Sequence, residues 1–105
     1  MRAERSSSAF EEVEEELASL VPRRSQGYLR VFMFFVRKYL EDPSQSFNAY
    51  AVEKEVVNIS RARPILEWLS QKGFLKVVDS SPVPYYKLNP EKKLVKLLLN
   101  LLKQA

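Results

Sequence analysis

Two arginines in alternate positions, Arg61 and Arg63, are the best candidates in this sequence for contact with a charged partner. They lie in the stretch 58–75, which reads as a helix over residues 60–72. Ala62, Ile65, Leu66 and Leu69 form its apolar row, Gly73 stops it, and a strand opens at Phe74. A guanidinium is a planar fork of donors that fits guanine edges and phosphate oxygens in a bidentate way. In the first turn of a helix both cations oppose the macrodipole, so an external anion would account for their position. The plainer reading is that they are solvated helix starters. Ser60, Gln71 and Lys72 share the stretch, and Lys76 follows it on the strand. Ser60 suits a helix cap, and the lysines suit phosphate or solvent equally.

Other chemistry finds little material. The 105 residues contain no Cys and no His, which removes disulfides, thiolate metal sites, imidazole ligands and the commonest general base. No Asp cluster suggests a magnesium site, so no metal and no cofactor is expected. The two glycines, Gly27 and Gly73, stand alone and build no phosphate-cradling loop. No nucleophile–base pair can be assembled, and an enzyme is not expected. No run of about 18 apolar residues occurs and no apolar stretch follows a basic start, so neither a membrane span nor a secretory leader is expected.

Charge is unevenly spread. Residues 1–21 hold two basic and six acidic residues, a net of −4, whereas residues 22–105 hold 15 basic and seven acidic, a net of +8. A basic body suits a polyanion partner, and a solvated surface would look the same.

The elements that must position these residues follow from periodicity. Residues 1–7 read as a polar, flexible start, and a single domain is expected over 8–105. Ser8 and Glu11 form a capping box for a helix over 8–21 with a narrow stripe of Phe10, Val13, Leu17 and Leu20. Pro22 breaks it. A second helix, capped by Ser25, runs from Gln26 to Glu41 and is apolar almost all round, so it is buried on several sides. Asp42-Pro43 ends it. Residues 46–48 suit a short strand and residues 49–57 a short helix, with Asn58 able to take a left-handed turn. The strands 74–78 and 84–88 flank a turn-rich link. Of Tyr85 and Tyr86, one should point inward. A last helix over 90–104, capped by Asn89, is leucine-rich. Leu94, Leu97, Leu98, Leu101 and Leu102 exceed what so small a domain can cover, which points to a homodimer interface. The two terminal helices could instead cover each other.

The resulting class is α+β, mainly α. With Leu66, Leu69 and the run Leu69-Ser-Gln-Lys-Gly73-Phe-Leu75, about 60 residues over 28–88 resemble the winged helix-turn-helix family in its small archaeal and bacterial regulator forms. There a Leu-x-x-x-Gly pattern closes the recognition helix before the wing. The resemblance implies a core over 25–88, an added N-terminal helix and an added leucine-rich C-terminal helix. It implies double-stranded DNA as partner, helix 60–72 in the major groove, and a cytoplasmic, nucleoid-associated transcriptional regulator or chromatin protein. It also implies a sugar-phosphate contact for Arg30, at the start of the second helix. The chain departs from the family pattern in three places: no Gly lies in the turn between the paired helices, Pro64 lies in the recognition helix, and no cation lies over 79–84. The last two departures favour a protein-interaction module, with a partner on the wing or on the acidic N-terminal helix. Attachment to RNA phosphates is a third reading.

Overall fold

The computed structural model describes residues 2–104, with side-chain surroundings over residues 10–104. Among the described residues, five α-helices and a two-stranded antiparallel sheet make a mainly helical α+β fold. Helix α2 (Gln26–Glu41) is its axis. Six consecutive residues, Val31, Phe32, Met33, Phe34, Phe35 and Val36, are buried, because other elements cover the helix on nearly every side. Asp42, held in extended conformation by the following proline, stops it. The Asp42 Oδ1 then accepts from the amide and hydroxyl of Ser44, at 3.0 and 2.8 Å, which holds its carboxyl below the usual range.

Helix α1 (Arg2–Leu20) packs along α2. It begins well before the capping box at Ser8, so Ser8 is not its cap and residues 2–7 are helical. The good helix formers Arg2, Ala3, Glu4 and Arg5 carry the helix through the serines. A 3-10 turn at Arg23–Ser25 leads into α2, and Ser25 makes no side-chain cap bond.

Residues 46–48 contribute only one bridge. Phe47 exchanges two backbone hydrogen bonds of 2.8 Å with Tyr86 and packs its ring edge-on to Phe34 and Phe35. Helix α3 (Ala49–Glu55) follows, capped by the Asn48 side chain, which accepts from the Ala51 amide at 2.9 Å. Asn58 takes the left-handed turn, with φ 67°.

Helix α4 (Arg63–Gln71) starts later than the expected residue 60. Starting at Ser60 would drive the Pro64 ring against the Ser60 carbonyl, whereas in the first turn the proline is tolerated. Ser60 is therefore not the cap. Glu53 of α3 takes that role from the side, its Oε2 accepting from the Ala62 amide at 2.8 Å. At the other end Gly73, with φ 89°, closes the helix. Gly73 N–H bonds to Ser70 and Phe74 N–H to Leu69, a Schellman arrangement that satisfies the final carbonyls.

Because Phe74 N–H is spent on that cap, strand β1 (Leu75–Asp79) begins one residue later than its pattern suggests. Strand β2 (Tyr85–Leu88) likewise excludes Pro84, which has no donor. Leu75 pairs with Leu88 and Val77 with Tyr86, and Val78 bulges out before Asp79 meets Tyr85. Tyr86 is the inward tyrosine. Asn89 does not cap a helix directly. Its Nδ2 donates to the Gly73 carbonyl at 2.8 Å and its Oδ1 accepts from Glu91, tying the hairpin to the end of α4. Helix α5 (Lys93–Gln104) begins after this turn and seats Val95 and Leu99 in the core. No helix among the described residues is long and apolar enough to cross a membrane.

Candidate nucleic-acid interface

Helix α4 turns Ile65, Leu66 and Leu69 into the core, which leaves Arg63, Pro64, Glu67 and Gln71 on the outward side. Arg63 is the first helical residue and is exposed. Arg61 is exposed too, but lies in the turn before α4, not in its first turn. Beside Arg63 a shallow cleft of about 120 Å³ is lined by Asn48 and Tyr50 from the start of α3 and by Val83 and Pro84 from the hairpin tip. The heads of α3 and α4 and the hairpin tip therefore meet around one guanidinium. Lys54 adds a further cation, its Nζ 5.3 Å from the Tyr50 ring centre.

The electrostatics differ from the sequence reading at the head of α4. Arg61 and Arg63 do not face an uncompensated helix end. The Glu53 carboxylate caps it, and Glu67 Oε2 lies 3.3 Å from Arg63 Nε across one turn. Behind that pair lies Tyr86. Burial raises its hydroxyl above the ordinary tyrosine range, Glu67 raises it further, and Arg63 opposes them.

Gln71 and Lys72 are exposed at the far end of α4, about 12 Å along the axis from Arg63 at the helical rise. Lys72 is partly occupied, with its Nζ 5.6 Å from the Trp68 ring centre. Lys76 is exposed on β1, directly opposite Lys87 on β2. Like charges in opposed positions cost stability, so this pair concentrates charge at the expense of the hairpin. Ser60 is exposed and makes no cap. Arg30 does not join the group. Its guanidinium is held by Glu14 at 2.7 Å and Glu15 at 3.5 Å, so it faces α1, and the Glu14 bond raises its pKa.

Sequence reasoning missed Glu53, whose role depends on the approach of α3 to α4. It also missed the Arg63–Glu67 pair, which the spacing of four made legible. Among the described residues no group of three or more acidic, His or Cys side chains could hold a metal.

On the opposite flank of α4, Trp68 is 42% exposed and meets Tyr28 edge-on at 5.3 Å. It forms one wall of an apolar groove of about 530 Å³ between the end of α1, α2 and α5. Of the five leucines expected at an interface, Leu98 and Leu102 are half-buried and pack on the chain's own core. Leu94, Leu97 and Leu101 remain exposed, at 53, 58 and 57%.

Comparison with known protein families, curated proteins and solved structures gives no match.

Proposed function

We propose that the chain is a winged-helix protein that binds double-stranded DNA as a homodimer, acting in the cytoplasm beside the nucleoid in regulation or DNA packaging. The carrying observation is the exposed Arg63 where the heads of α3 and α4 meet the hairpin tip, with Arg61 exposed two residues before it and Lys54 over the Tyr50 ring. In this reading α3 and α4 are the paired helices, Phe47 with β1 and β2 is the small sheet, and the hairpin is the wing. Arg61 and Arg63 would take phosphates or guanine edges, with Gln71 at the far end of the same helix face. Arg30 has no place in this interface because α1 already neutralises it. The test is titration of labelled duplex with the full chain. The Arg61→Ala, Arg63→Ala double variant should bind at least about tenfold more weakly, because one lost base contact is worth about 1–3 kcal/mol. Equal binding would contradict the reading.

A second reading is a protein-interaction module. The exposed Val77, Val78 and Val83 on a hairpin with no cation over 79–84 support it, as does the pairing of Arg63 with Glu67. Absence of duplex binding by the parent at low salt would favour it.

A further inference from the structure

The dimer in that reading has a specific surface available. Leu94, Leu97 and Leu101 fall at steps of three and four along α5, one seam on the side away from the buried Val95 and Leu99. The seam borders the apolar groove, whose walls include Leu17 of α1 and Val21 just beyond it, as well as Leu94 and Leu98 of α5. Helix α1 packs chiefly on α2, and the groove between its end and α5 stays open.

Charge selects the occupant. Helix α5 carries Lys93, Lys96 and Lys103 and no acidic residue. Helix α1 exposes Glu11, Glu12 and Glu16, while Glu14 and, at 3.5 Å, Glu15 face Arg30. Packing two copies of α5 directly on each other would bring lysines together. Packing α5 on α1 of another copy brings lysines to glutamates over an apolar floor. A two-fold interface must present both halves on one patch, and here the acidic helix and the basic leucine helix flank the same groove.

We propose that two copies of this chain pair reciprocally, each laying the Leu94–Leu97–Leu101 seam of α5 over the other's groove and against its acidic α1. The pairing rests on the dimer part of the reading above and not on DNA, so it is tested without DNA. Sedimentation equilibrium of the full chain should give a dimer at tens of micromolar, where interfaces of ordinary size persist. Two variants reverse exposed charges only: Glu12→Lys with Glu16→Lys, and Lys93→Glu with Lys103→Glu. Each alone should dissociate at least about tenfold more readily, a penalty of about 1.4 kcal/mol. An equimolar mixture of the two should recover the parent's association, because both contacts are then opposite in sign. Leu97→Asn, also at an exposed position, should weaken the dimer in the parent background. A monomeric parent overturns the proposal. So does a Glu12→Lys, Glu16→Lys variant that dimerises like the parent, or a mixture that stays monomeric.

Discussion

The Glu53 carboxylate on α3 caps the head of α4 by accepting from the Ala62 amide at 2.8 Å. One side chain thereby fixes the angle between the two helices and places a negative charge where the helix dipole favours it. It also stands among the cations Arg61 and Arg63, so the head of α4 is stabilised from inside the chain while its guanidiniums stay exposed. Glu53→Ala should cost about 1 kcal/mol, the usual loss for a side-chain cap. For a domain of this size that lowers the melting temperature by about 4–8 °C. Glu53→Gln keeps an acceptor and should lose less. Calorimetry of the three proteins checks the order.

The two glycines should respond in opposite directions. Gly73 has φ 89°, a conformation that side chains strain to adopt, so Gly73→Ala should destabilise by about 1–2 kcal/mol. Gly27 sits near the start of α2, and an added Cβ would meet Ile59 and Ile65 at ordinary contact distance, 3.5 Å from each. Gly27→Ala should therefore stabilise by about 0.4–1 kcal/mol, mainly by restricting the unfolded chain. Urea denaturation of both variants reads the signs.

Tyr86 gives a pH dependence of defined sign. Its folded pKa is raised, first by burial and then by Glu67, with Arg63 opposing. The folded state thus holds the phenol proton more tightly than the unfolded chain. Its contribution is fully present below the unfolded value of about 10 and is lost as pH rises from there through the raised folded value. The stability of the parent should fall across that alkaline window more steeply than that of Tyr86→Phe. Parallel curves for the two proteins would contradict this placement of the hydroxyl.

Much of the frame could be read from residue pattern alone. The span of α2 follows from its continuous apolar run and Asp42-Pro43, although Ser25 makes no cap bond, and the left-handed turn at Asn58 and the stop at Gly73 follow from residue type. What pattern cannot supply is tertiary. Ser60 is a good cap by type, yet Pro64 sets the helix start and Glu53 reaches it from another helix. Arg30 reads as a free cation until α1 folds Glu14 onto it. Leu98 and Leu102 lie in the same run as Leu94, Leu97 and Leu101, and only the orientation of α5 separates those packed on the core from those left exposed. Asn89 suits a cap by position, but its amide is drawn to the Gly73 carbonyl and the helix begins later.

The Arg63–Glu67 pair is exposed, and such pairs are worth only about 0.3–0.5 kcal/mol. In the DNA-binding account Glu67 is a restraint, holding Arg63 and placing a negative charge toward the phosphates. Glu67→Gln should therefore tighten duplex binding by about twofold or more with little change in folding stability. Fluorescence anisotropy with one labelled duplex measures it, and weaker binding by the variant would mean that Glu67 itself contacts the partner.

DNA binding through α4 is tested most directly by a two-dimensional amide NMR titration of the full chain with a short duplex at low salt. The perturbed amides should cluster on Tyr50, Lys54, Arg61, Arg63, Glu67 and Gln71, with the hairpin tip, and added salt should reverse the shifts as counterions reclaim the phosphates. Shifts confined to α1 and α5, or none at all, would contradict DNA binding through α4.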